Sequence, residues 1–256
     1  GLSAASLLRK GVARSPKSAR PFKIATELVD LSRFSGKPGE PDFLVDGEAL
    51  RNQEIIYYVT PDQYSRYMRK AGADRRSVRR MAAERQSEVV FLDELPVPWD
   101  CWKDLAAVWV NVLRQIARAD IGGFDSWLAI TGGRRFCELS SLFYRHRVQS
   151  HVFLTFPNGH TGVRLDSGLV TGVCRRYGVS SVSYQTRFIY YRNYEYCFES
   201  FDLLCMWGKG YLDMLKPYMS LVGQAVLVGN VNLDALLRQM HGTKPTPNQV
   251  VVFTSD

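Results

Sequence analysis

A chain of 256 residues that is 46% apolar and 12% aromatic can bury a sizeable core, which argues against a disordered chain and leaves room for one large domain or two small ones. The net charge of +8 is concentrated in residues 1–20 and 66–85, so the basicity is local and favours contact with an anionic surface or ligand over a whole-protein field. Five cysteines, widely spaced and without Cys-x-x-Cys, suggest neither a disulfide framework nor a zinc site, and no run approaches the roughly 18 apolar residues of a membrane span.

In chain order, residues 1–40 are rich in Ser, Arg and Pro and read as a basic lead-in arm. They hold one amphipathic piece around Ile24 to Phe34 and a break at Gly36-Lys37-Pro38-Gly39. Residues 41–240 then alternate short apolar runs, polar turns and helical patterns, the grammar of an α/β domain. Ile55–Thr60 and Glu88–Leu92 are predicted strands, each β-branched or aromatic. From Asp104, a predicted cap, Leu105, Val108, Trp109, Val112, Leu113 and Ile116 recur at helical spacing, and Gly122-Gly123 is the expected stop.

After the apolar run Trp127–Thr131, Gly132-Gly133-Arg134 is expected to open a further helix that runs to about Arg147. Strands are predicted at His151–Phe156, in the segment SSVSY at 180–184, at Phe201–Trp207 and in the segment AVLVGN at 225–230. Helices are predicted over about 161–177, at the segment LDMLKPYM, which Pro217 disrupts, and at the segment NVNLDALLRQM. Residues 241–256 read as a Pro-containing linker and the first strand of something new. The expected fold is α/β: a mostly parallel sheet with helices on both faces.

Chemistry-bearing residues fall just after the apolar runs, the edge at which open α/β sheets bind ligands. Asn158, Gly159 and His160 form a Gly-rich strand-to-helix turn whose amides would face a bound sugar or phosphate, with His160 able to take a proton or donate a hydrogen bond. A plain capped turn accounts for the same residues. Tyr184, Gln185 and Arg187 follow the next strand and could hold hydroxyls or a carboxylate, although Arg187 could equally pair with Glu195 or Glu199. Gly132, Gly133 and Arg134 are a candidate anion site at a helix N-terminus, with a plain loop and cap as the alternative. Asp93 and Glu94 could supply a general base, and acids after a strand also serve as caps.

Motifs for a dinucleotide dehydrogenase, a P-loop nucleotidase, a serine hydrolase or a zinc protease are absent. No metal site and no resident cofactor are expected. The basic run from Arg66 to Arg85 can share a helix face, and an anionic membrane surface suits it better than RNA because aromatic interleaving is thin.

Three further segments carry a resemblance: Tyr177-Gly-Val-Ser-Ser-Val-Ser-Tyr-Gln185, the strand end from Phe201 to Trp207-Gly208, and Val228-Gly229-Asn230-Val-Asn-Leu-Asp234. Together they resemble bacterial surface-carbohydrate glycosyltransferases of the GT-B type, enzymes of capsule and lipopolysaccharide O-antigen assembly. The match covers the last third of the chain, and Thr186-Arg187 departs from the Gly or His usual after that strand.

The resemblance implies two facing Rossmann-like domains. Residues 41–240 would be the N-terminal, acceptor-side domain, and 241–256 would lead into a C-terminal donor domain largely missing here. Gly229, Asn230 and Asp234 would lie near the domain boundary. The implied activity is transfer of a sugar from a nucleotide sugar to a growing polysaccharide or lipid-linked glycan, by a cytoplasmic enzyme that could sit peripherally on the membrane, with no nucleic-acid partner. A nucleotide-sugar 2-epimerase on the same fold is the first alternative, and a non-catalytic module binding a glycan or an anionic membrane is the second.

Overall fold

The computed structural model describes residues 12–13, 22–28, 31, 54–69, 72–118, 122–153, 166–185, 199–218 and 220–229. In chain order the strands are β1 (Val12–Ala13), β2 (Phe22–Glu27), β3 (Ile55–Val59), β4 (Glu88–Phe91), β5 (Val97–Pro98), β6 (Val148–Phe153), β7 (Ser180–Tyr184), β8 (Phe201–Met206) and β9 (Val222–Leu227). The helices are α1 (Pro61–Gln63), widening into a π-type turn over Tyr64–Met68, then α2 (Arg75–Glu84), α3 (Trp99–Ala117), α4 (Gly123–Arg145), α5 (Asp166–Arg176) and α6 (Lys209–Leu215).

Among the described residues seven strands form one sheet in the order β4-β3-β2-β6-β7-β8-β9, and every neighbouring pair is parallel. This is a Rossmann-like α/β fold. Chain order runs outward in one direction from β2 through β3 to β4 and in the other from β6 through β9, so the direction of winding reverses between β2 and β6. The short strands β1 and β5 pair separately, also in parallel.

A parallel strand covered on both faces reads as a continuous apolar run, and all five residues of β3, Ile-Ile-Tyr-Tyr-Val, are buried. Alternate side chains of the sheet feed two cores. Phe22, Ala25, Ile56 and Tyr58 pack with Leu139 and Leu142 of α4 and Val170 and Val173 of α5. On the opposite face Leu28, Ile55, Tyr57, Val59 and Phe91 pack with Met68, and with Val78 and Ala82 of α2. Helices therefore cover both faces, as expected. Local signals set two starts: Thr60 accepts from the Gln63 amide (3.1 Å) ahead of Pro61, and Asp74 caps α2 by accepting from the Ser77 amide (2.6 Å).

The structure corrects the expected organisation in four places. Residues 22–27, assigned to the lead-in arm, are an interior strand of the sheet, at the point where winding reverses. The spacing of Ile24, Leu28 and Leu31 imitates a helix face, but β2 hydrogen-bonds to β3 on one side and β6 on the other, and this pairing overrides the local pattern. Helix α3 starts at Trp99 behind Pro98, so Asp104 lies inside it, where it accepts from Arg176 of α5 at 2.5 Å. Strand β6 starts at Val148, three residues ahead of the expected His151.

Finally, Gly132 and Gly133 do not begin a helix; they lie in the middle of α4. A Cβ on Gly133 would lie 2.7 Å from Leu105 Cδ1 of α3, whereas one on Gly132 would meet nothing within 4 Å. Gly133 thus lets the two helices approach each other. Gly132→Ala is expected to stabilise the fold by about 0.5–1 kcal/mol through helix propensity. Gly133→Ala is expected to show no such gain, because buried Leu105 must move. Urea midpoints of the two variants check this; equal gains would mean that the α3–α4 contact is loose.

Candidate functional site

In open α/β sheets a ligand crevice characteristically forms where strand order reverses, and here that place is the carboxyl ends of β2 and β6. Glu27, the last residue of β2, stands there, and Arg135 of α4 reaches it with Nη2 3.4 Å from Oε2. Both side chains keep partial access to solvent, 28% for Glu27 and 15% for Arg135.

A polar layer lies beneath this pair. The Arg135 guanidinium sits 5.8 Å above the centre of the Tyr58 ring, and the Tyr58 hydroxyl and His151 Nε2 are 2.8 Å apart. Tyr58 is the β3 neighbour of Glu27, and His151 is the β6 neighbour of Ala25, so both stand on the α4 side of the sheet. His151 is fully buried. Desolvation, and secondarily the charge of Arg135, push its pKa down to about 3, so it stays neutral at physiological pH. Next to Arg135, Arg134 donates to Glu138 one helical turn on (2.9 Å), and the Glu138 side chain is 4% exposed.

The candidate anion site at Gly132, Gly133 and Arg134 is therefore corrected. Amides in the middle of α4 are committed to the helix, and Arg134 is neutralised by Glu138. Asp93 and Glu94 follow β4 as expected, but they face the opposite layer. Arg75 binds both, its contact with Glu94 being 2.7 Å, and Arg79 also binds Glu94. Arg75 lies 5.0 Å from the ring centres of both Tyr64 and Phe91.

Burial alone would raise the pKa of Glu94, but hydrogen bonds and charge from Arg75 and Arg79 outweigh it and hold the carboxyl below its usual range. A carboxylate held so is a weak proton acceptor, and Glu94 reads as an ion-pair partner rather than as a general base. The same clamp occupies two of the arginines in the basic run. Arg69, Arg76, Arg80 and Arg85 remain exposed, with Arg80 3.9 Å from Glu84.

Tyr184 and Gln185 end β7 on the expected edge, yet both are buried and hold strands together. The Gln185 amide donates to the Cys205 carbonyl (2.9 Å), while its side-chain Oε1 accepts from the Trp207 amide (3.0 Å). The Tyr184 hydroxyl donates to the Gly229 carbonyl at 3.3 Å, and Gly229 itself takes a left-handed turn (φ 77°) just past β9. These residues stitch the ends of β7, β8 and β9, which removes the side chains of Tyr184 and Gln185 from the acceptor-binding set.

Gln185→Ala is expected to cost about 1–3 kcal/mol of stability by taking the acceptor from a part-buried amide. Thermal melting checks this; unchanged melting together with weakened glycan binding would return Gln185 to the ligand site. Asn158, Gly159, His160, Arg187, Asn230 and Asp234 lie outside the described residues.

Strand spacing also separates the expected site residues. Asp93 and Glu94 follow β4 and Gln185 follows β7, four strand spacings of about 4.8 Å away, so on the order of 19 Å divides them. They cannot share one small site. The switch-point residues that sequence reasoning missed are Glu27 and Arg135. The alternating, partly β-branched run Phe-Lys-Ile-Ala-Thr-Glu could have marked a strand ending on an acid.

Among the described residues no cluster of three or more His, Cys, Asp or Glu could hold a metal ion, and no helix is long and apolar enough to cross a membrane. No protein-family profile matches the chain, and neither a curated protein nor a solved structure matches it.

Proposed function

We propose that this chain provides the acceptor side of a two-domain glycosyltransferase, which moves a sugar from a nucleotide-activated donor to a glycan or lipid-linked glycan. The observation that carries the reading is the parallel strand order, with its winding reversal between β2 and β6. Two of the residue pairs and turns that carry the resemblance fall at strand ends. Trp207-Gly208 directly follows β8, and Gly229 lies just past β9.

In this reading the acceptor hydroxyl lies over the β2–β6 crevice, and a second domain brings the donor down on it and excludes water. A polar crevice floor suits a carbohydrate, whose hydroxyls need partners as water leaves. The exposed arginines of α2, Arg76 and Arg80, would suit an acceptor anchored on anionic lipid.

The test is nucleotide release by the full-length protein from a panel of nucleotide sugars, with and without a glycan acceptor. Acceptor-dependent release is the expected result. Conversion of a nucleotide sugar without any acceptor would replace transfer with epimerisation. Silence with every donor would overturn the enzymatic reading.

A further inference from the structure

We propose that Glu27 is the general base at the switch point, with Arg135 as the residue that positions its carboxylate; this rests on the sugar-transfer reading above. Among the candidate acids that the structure describes, Glu27 differs from Asp93 and Glu94 in both place and commitment. It closes an interior strand at the reversal of winding, whereas they follow β4, the outermost described strand, and are bound by Arg75, with Arg79 adding a second ion pair to Glu94. Arg135 stands 3.4 Å from Glu27, longer than the 2.9 Å of the neighbouring Arg134–Glu138 pair. Among the described residues the contact falls on Oε2, and a carboxylate has further lone pairs with which to accept from a hydroxyl.

The layer below suits the role. Tyr58, hydrogen-bonded to the neutral His151, presents its ring to Arg135 and limits the positions the guanidinium can take. Glu138 engages Arg134 and so keeps that second cation off Glu27.

In the proposed step a Glu27 carboxylate oxygen takes the proton of the acceptor hydroxyl. The hydroxyl oxygen forms its bond to the anomeric carbon of the donor sugar, and the bond from that carbon to the nucleotide's phosphate oxygen breaks. The bonding pair leaves with the nucleotide, and Glu27 returns its proton to solvent. No oxidant or metal is required for balance. The substrate class is a sugar hydroxyl presented over β2 and β6.

The test compares wild type with Glu27→Gln and Glu27→Asp in the full-length protein. Acceptor-dependent nucleotide release and thermal melting are the readouts. Glu27→Gln keeps the shape and a hydrogen-bonding carbonyl but cannot take the proton. It is expected to lower kcat by about 10²–10⁴-fold, with KM for the glycan acceptor within a few-fold and melting unchanged. Glu27→Asp should retain intermediate activity.

Turnover of Glu27→Gln within tenfold of wild type would overturn the assignment while leaving sugar transfer intact. A loss of kcat in both variants that tracks a fall in melting temperature would assign Glu27 to packing and also overturn it. Wild type that releases no nucleotide from any donor would sink the transfer reading itself, and the role of Glu27 with it.

Discussion

Asp202→Ala is expected to destabilise the domain by about 2–4 kcal/mol, a large share of an ordinary domain's stability. Asp202 is the second residue of β8, and its Oδ2 accepts from both the amide and the hydroxyl of Ser181 at 2.9 Å, while Arg175 of α5 binds Oδ1 at 2.9 Å. The Ser181 hydroxyl in turn accepts from the Asp202 amide (2.9 Å), and the nearby Thr171 hydroxyl donates to the Ser200 carbonyl (2.6 Å). One carboxylate therefore joins β7, β8 and α5. Its removal leaves the amide of buried Ser181 without that acceptor.

The same group sets an acid limit. Burial would raise its pKa, but the Ser181 hydrogen bonds and Arg175 outweigh this and hold the folded-state carboxyl below the model-peptide value of 3.8. With the folded pKa depressed, the stabilisation is fully present above the unfolded pKa, near 4, and is lost as pH falls through the lower folded value. Urea denaturation at neutral pH and near pH 3 checks both claims. Asp202→Asn should lie between wild type and Asp202→Ala at neutral pH and should lose less stability on acidification. An Asn variant as acid-sensitive as wild type would place the acid limit elsewhere.

The second large effect is expected at Gly223. A Cβ there would sit 2.8 Å from the carbonyl oxygen of Asp202 and 3.5 Å from its carbonyl carbon. The obstacle is backbone in a neighbouring strand, so no rotamer change relieves it. Registers Phe201↔Val222 and Leu203↔Gln224 bracket the position, and a side chain at 223 must push β9 away from β8.

Gly223→Ala is expected to cost about 1–3 kcal/mol, and Gly223→Val more, because a branched side chain brings further atoms to the same carbonyl. Hydrogen exchange should show the loss first in the amides of β9, the edge strand. The turn at Gly229, held by Tyr184, should loosen with it. Protection of β9 unchanged in Gly223→Val would mean that the strand can shift without cost.

Much of the fold was legible in local pattern. The all-buried run of β3, the apolar β4, β7 and β8, and the helical stretches that became α3, α5 and α6 are signalled by continuous apolar runs or helical spacing. Cys101, Cys137 and Cys174 pack in the interior as free thiols, with burial pushing the Cys174 thiol up to about 12.

The candidate site was less legible. Charged residues after strands look alike in a sequence, whether they face a crevice or an ion pair. Nothing local separates Asp93 and Glu94, claimed by Arg75 and Arg79 from 15 to 19 positions earlier, from Glu27, whose partner Arg135 lies 108 positions later. Gln185 shows the same ambiguity: a polar residue on the ligand edge of a sheet turned out to serve the neighbouring strand.

By itself, then, the sequence determined the α/β class, the approximate position of most strands and helices, and the edge of the sheet on which polar residues gather. Each of these follows from periodicity and turn chemistry within a few residues. Tertiary structure alone decided that residues 22–27 are an interior strand of the sheet, that Gly132-Gly133 continue a helix, and that the winding reverses beside Glu27. The physical reason is range. Strand order, helix approach and ion-pair choice are settled by packing and hydrogen bonds between residues far apart in the chain, which outweigh the smaller local preferences that a sequence displays.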